Sequence, residues 1–209
     1  MPTPEQILAG LVSIANEWWL LAVFWHVYFA ALALLILRAR LSPHLIGILL
    51  SLPMLSVSAL AWWIGNPFNG TMFLLSTTAL LVLTWRLPPT GRPASTMGMI
   101  AGAAMFMFGW VYPHFLNTPS LLPYLYAAPT GLIPCPTLSI TVGLTLLAGG
   151  LSRIWSLGLA SLAAFYGIFG TFVLGVTIDL LLTAGAAMLF IHALRGVMNS
   201  QSLHKPAAE

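Results

Sequence analysis

Apolar residues fill seven long stretches of this chain, roughly 18–37, 44–64, 69–85, 95–112, 136–151, 154–173 and 177–194, divided by charges and by glycine-proline turns. Each is close to the length that crosses about 30 Å of hydrocarbon at 1.5 Å per residue. In lipid, backbone groups must bond within their own segment, so runs of this kind predict helices. The expected fold is an all-α integral membrane protein with seven transmembrane helices. One membrane domain covers 1–195, and a polar, disordered tail covers 196–209. A shorter pattern precedes the first run. Ile7, Leu8, Leu11, Val12 and Ile14 recur at helical spacing, which predicts a short helix over 5–16 lying on the outer surface.

Composition agrees with lipid as the solvent. Charged residues make up 5% of the chain and apolar ones 59%, whereas about 25% of a soluble domain is charged. The few charges then give the chain a direction. Arg38 and Arg40 follow the first run, Arg86 and Arg92 the third, Arg153 the fifth, and Arg195 and Lys205 the seventh. The connections after runs two, four and six carry no Lys or Arg. By the positive-inside rule the amino terminus is outside and the carboxyl terminus inside, and Glu5, Glu17 and Asp179 all fall outside. The net charge of +3 is scattered over these inside segments and forms no stripe, so nucleic acid is not an expected partner. The acidic stretch before the first run lacks the basic start of a cleavable signal peptide.

Aromatic residues mark the expected interfaces. Trp18, Trp19, Trp62, Trp63, Trp110 and Tyr112 gather at the outer boundary, and Trp85 and Trp155 at the inner one. Small residues at helical spacing, such as Gly98 and Gly102 or Ala160, Ala163 and Ala164, predict close helix packing. Pro53 predicts a kink in the second helix.

The connection 113–135 is unusual. It holds Pro113, Pro119, Pro123, Pro129 and Pro134, yet it is largely apolar, with Leu121, Leu122, Tyr124, Leu125, Tyr126, Leu132 and Ile133. It is expected to pack over the outer mouth of the bundle or to dip into it as a re-entrant segment. The second option suits the fifth run, which is too short for the full hydrocarbon thickness.

Candidate chemistry gathers in the outer half. Cys135 precedes Pro136, which suits a first helical position, so Cys135 is expected as the N-cap beside free N–H groups. There a thiolate is favoured for attack or for binding soft metals; the alternative is a small buried apolar residue. His26, near the middle of the first helix, is either a functional ionisable group or a neutral histidine bonded to a neighbouring helix, and His114 ends the fourth run. Asp179 is expected to stabilise the start of the seventh helix through its dipole. Glu17 stands at the outer start of the first helix. Together Cys135, His114, His26, Asp179 and Glu17 form the expected ligand-binding set. Cys135 and His114 are the pair for a soft metal ion, if one binds; no other cofactor is evident. A single cysteine excludes an internal disulfide and multi-cysteine zinc or iron–sulfur sites.

Several familiar functions drop out. A retinal Schiff base needs a helix lysine, and the sole lysine, Lys205, is in the tail. Bis-histidine haem needs two histidines at one depth, but His26 and His192 differ by roughly 10 Å at 1.5 Å per residue. No span carries arginine in its middle, as a voltage sensor would.

The stretch Ala127-Ala128-Pro129-Thr130-Gly131-Leu132-Ile133-Pro134-Cys135-Pro136-Thr137, with Gly143 beyond it, resembles the central motif of a bacterial family of multi-pass membrane proteins known only as a domain of unknown function. Leu174-Gly175-Val176 with Asp179 after it is similar to a second feature of that family, and Asn16 with Trp18 to a third. Thr177-Ile178-Asp179 departs from the family's proline and adjacent acidic residues. The resemblance implies a multi-pass protein of the bacterial cytoplasmic (inner) membrane and brings no activity with it.

Two functional expectations follow. The first is binding or transport of a small solute or soft metal ion, entered from outside near Cys135, His114 and His26. The alternative is a non-catalytic membrane subunit or assembly factor, partnered by another membrane protein or by copies of itself. An enzyme with Cys135 as nucleophile is least expected, because no base lies near it in sequence.

Overall fold

The computed structural model describes residues 2–39, 41–91 and 93–202, the last seven as backbone alone. Arg40, Arg92, His204 and Lys205 lie outside the described residues, as does the tail from 203 onward. Everything regular among the described residues is helical: α1 (Pro4–Glu17), α2 (Trp19–Arg38), α3 (Pro43–Trp63), α4 (Pro67–Thr84), α5 (Thr96–Val111), α6 (Tyr124–Ala127), α7 (Pro134–Leu147), α8 (Arg153–Phe172) and α9 (Leu180–Ser202), with a 3-10 turn over Thr177–Asp179 before α9. Five stretches are long and apolar enough to cross a membrane: α2, α3, α4, α8 and Thr177–Arg195. The apolar helices α5 and α7 are shorter. Residues 196–202 of the expected tail continue α9.

Local chemistry sets where the helices begin. Thr3 and Gln6 form a reciprocal capping box on α1, and the side chains of Ser42, Asn66, Ser95 and Ser152 accept from the first-turn N–H groups of α3, α4, α5 and α8. Proline occupies the first turn of α1, α3, α4 and α7, where its missing N–H costs no helix bond. Pro53 lies inside α3, and the helix runs through it without a break.

The core is built around α7. Pro136 through Leu146 are all buried, and α7 touches α2, α3, α5, α8 and α9. Its closest neighbour is α5, and glycine makes that approach possible. A Cβ on Gly102 would stand 2.8 Å from the Gly143 carbonyl oxygen, and one on Gly143 would stand 2.6 Å from the Phe106 nitrogen. The hydroxyls of Thr137, Ser139, Thr141 and Thr145 each donate to the carbonyl four residues back, so α7 satisfies its own polar side chains.

The 113–135 connection enters the protein. After α6, residues 128–134 are all buried, and several of their backbone N–H groups find acceptors nearby. Thr130, Leu132 and Ile133 donate to carbonyls within the turn, while the Gly131 N–H donates to Thr137 Oγ1 at 2.8 Å. Thr130 Oγ1 reaches across to the Gly109 carbonyl at 2.6 Å. Gly131 takes φ +79°, and the Trp25 side chain fills the space that a Cβ would need.

Two expectations about position change. Trp19, Trp62, Trp63 and Trp85 are exposed, as interfacial residues would be, but Tyr112 and Trp155 are fully buried. Each has a polar tip with an internal partner: the Trp155 indole donates to Thr84 Oγ1 at 3.2 Å, and Tyr112 donates to Asp179. The helix over 4–17 forms as expected, yet its apolar stripe of Ile7, Leu11, Ile14 and Ala15 is buried against the protein itself.

Candidate functional site around Asp179 and Cys135

Asp179 closes the 3-10 turn ahead of α9 and is 1% exposed. Both described partners of its carboxylate are side chains of other elements, not the first N–H groups of α9. Oδ1 accepts the Tyr112 hydroxyl at 2.6 Å, and Oδ2 accepts the Cys135 thiol at 3.1 Å. Three elements therefore meet at one carboxylate: the carboxyl end of α5, the start of α7 and the start of α9. Gly170 on α8 lies directly over it, and any Cβ there would overlap Oδ2.

Cys135 is the second residue of α7, not its N-cap. The helix begins one residue before it, at Pro134, with Ile133 as N-cap. The reason is that proline is tolerated throughout the first turn, so Pro134 and Pro136 are both admitted and the helix gains a residue. Cys135 is part-buried, and it lines a cavity of about 20 Å³ shared with Asp179, Asn69, Tyr166, Leu11 and Phe115. That is room for about one water molecule. Asn69 is 4% exposed and accepts the Tyr166 hydroxyl at 3.1 Å. Among the described residues neither Lys, Arg nor His lines the cavity, and both described donors to Asp179 are neutral.

Of the expected ligand set, Cys135 and Asp179 come together and the other three do not line this cavity. His26 is 3% exposed on α2, with Nδ1 at 2.8 Å from the Ala22 carbonyl and Nε2 at 3.1 Å from the Trp110 carbonyl. Trp110 lies in the last turn of α5, where carbonyls have no helical partner. With its proton on Nε2, His26 donates to that carbonyl and fastens α2 to the end of α5. An H26A protein is expected to lose about 1–3 kcal/mol through the orphaned carbonyl, read as a lower melting temperature in detergent, with ligand affinity at Cys135 little changed. His114 is exposed; its ring meets Phe115 edge-on at 4.3 Å, and partial desolvation lowers its pKa below the ordinary histidine value. Glu17 is exposed and accepts the Ser13 hydroxyl at 2.7 Å. Among the described residues no three His, Cys, Asp or Glu side chains are grouped to hold a metal ion.

No family model, curated protein or solved structure matches this chain. The site is therefore interpreted from its own geometry.

Tyr112, Tyr166 and Gly170 are the site residues that sequence reasoning passed over. Tyr112 has the address of an interfacial aromatic, and its role depends on Asp179, 67 residues away. Tyr166 sits mid-helix in α8 with nothing local to distinguish it. Gly170 carried one usable signal, its spacing of three from Gly167 on a face that packs against α9.

Proposed function

We propose that this chain is a seven-crossing protein of the bacterial cytoplasmic membrane, amino terminus outside, that binds a small cationic solute or soft metal ion at Cys135 and Asp179 and passes it onward. The observation that carries this reading is a buried carboxylate whose partners are a thiol and a phenol, with no cationic side chain among the described residues lining its cavity. A buried negative charge without a counter-charge is costly, and ionisable groups at membrane depth mark ligand and ion pathways. The thiol adds a preference for soft ions. Buried, non-helical backbone at 128–133, leading into a short helix, supports a site reached from outside, since such backbone survives at membrane depth only inside protein or around a cavity. Arg38, Arg86 and Arg153 at helix ends, and Arg195 in the carboxyl-terminal part of α9, all on one predicted side, support the orientation.

The test is labelling of Cys135 in intact cells with a membrane-impermeant maleimide, with and without Ag⁺. Labelling from outside, blocked by Ag⁺, is the expected result. In D179N protein the Ag⁺ concentration giving half-protection should rise about tenfold or more, equivalent to at least about 1.4 kcal/mol. Equal protection in both proteins would reduce Cys135 to an ordinary thiol and overturn the cation site. A second reading, a non-catalytic membrane subunit or assembly factor, is favoured by the size of the cavity, which holds about one water in this closed form. A chain that never labels from outside until unfolded, and that co-purifies with a membrane-protein partner, would support it.

A further inference from the structure

We infer that α1 and the segment 113–118 form a lid over the Cys135–Asp179 cavity, held shut by the side chain of Asn16. The inference deepens the cation-site reading and rests on it. Two of the residues that line the cavity come from these outer pieces: Leu11 from α1 and Phe115 from the segment after α5. Neither piece belongs to a helix long enough to cross a membrane.

Asn16 joins them. Its Nδ2 donates to the Phe115 carbonyl at 2.9 Å and to the Val12 carbonyl of its own helix at 2.7 Å, and its Oδ1 accepts the Asn117 N–H at 2.9 Å. One amide thus grips the segment on both sides of Leu116. The grip is accessible to water, because an outer groove of about 210 Å³ is lined by Asn16, Leu116 and Thr118. Water can compete for these bonds, which keeps the latch reversible.

Phe115 shows what the latch holds. It has φ +77°, a left-handed conformation that an aromatic residue rarely adopts unless its surroundings impose it. In that conformation its ring stacks on Tyr112 at 6.1 Å, the same tyrosine that donates to Asp179. Releasing Asn16 lets Phe115 relax to negative φ and withdraw from Tyr112, which uncovers the thiol. A cavity with room for about one water admits no maleimide while the lid is shut, so the labelling rate of Cys135 reads the open fraction.

The experiment uses full-length protein in mild detergent with N-ethylmaleimide. N16A should label Cys135 about tenfold faster than wild type, equivalent to about 1.4 kcal/mol of closing energy, and N16D should fall between, because a carboxylate still accepts from Asn117 but cannot donate to Phe115. An unchanged rate overturns the lid. Equal acceleration at an S139C thiol in a C135S background, one turn further along α7, means general loosening and overturns it too. If N16A does not fold, N16C/N117C protein keeps the question answerable. Oxidation should slow Cys135 labelling about tenfold and reduction should restore it, whereas a rate indifferent to oxidation overturns the proposal. The labelling rate reports the lid whether or not any ion binds, and the Ag⁺ protection constant reports the site, so the two readings can fail separately.

Discussion

D179A protein is expected to melt well below wild type, with a loss of about 1–3 kcal/mol from the buried Tyr112 hydroxyl that loses its acceptor, and a further loss from the weaker, part-buried Cys135 thiol. Tyr112 is fully buried and its hydroxyl has Asp179 as its hydrogen-bond partner. The Cys135 thiol loses its 3.1 Å partner in the same change. D179N should cost less, since one amide oxygen still accepts, but its NH₂ must then face a second donor. The measurement is thermal unfolding in detergent followed by circular dichroism, with Y112F as companion. If the network is as described, D179A and Y112F together cost less than the sum of the two alone, because the phenylalanine removes the very hydroxyl that D179A strands. Strict additivity would mean that the two side chains do not interact.

G143V is expected to be at least as damaging, for a reason unrelated to chemistry. Added atoms at Gly143 meet the Phe106 nitrogen at 2.6 Å, the Gly102 carbonyl oxygen at 2.7 Å and the Phe106 Cα at 3.1 Å, all of them backbone. No side chain can rotate away, so α5 and α7 must part; overpacking of this sort costs about 1–3 kcal/mol even where neighbours can adjust. Since α5 carries Tyr112 and α7 carries Cys135, the same separation pulls the donors off Asp179. G158V is the control, because its nearest neighbour is the flexible end of Leu80 at 3.6 Å. The expected result is a sharp fall in folded yield and melting temperature for G143V and little change for G158V. Similar behaviour of the two would show that the α5–α7 contact is looser than described.

Helices were the legible part of this chain, and the physics explains why. An apolar run of about twenty residues has one way to satisfy its backbone in lipid, so α2, α3, α4 and α8 begin close to where the hydrophobic pattern places them. What the pattern did not reveal was which helix is wrapped by the others. The sequence of α7 is less apolar than that of α2, yet α7 is the buried one, because its threonines bond to their own backbone and its glycine lets α5 in. The site was half legible. Cys135 and Asp179 stood out as rare residues among apolar ones. His26 and His114 stood out in the same way but serve a helix contact and a surface ring contact. Rarity identifies candidates; only packing decides which of them meet.

The enclosure of α7 also bears on how the chain is made. A nascent segment enters the bilayer on its own when lipid suits all of its faces. At α7 the lining is to come from α8 and α9, which the ribosome has not yet synthesised when Pro134–Leu147 emerges. Its glycine is fitted to a protein neighbour, and α2, α3 and α5 are the partners already on hand to shelter it. Biogenesis of this protein is thus tied to its last two helices: a chain cut short after Leu147 would leave its own central element without a wall on that side, a substrate for quality-control proteolysis.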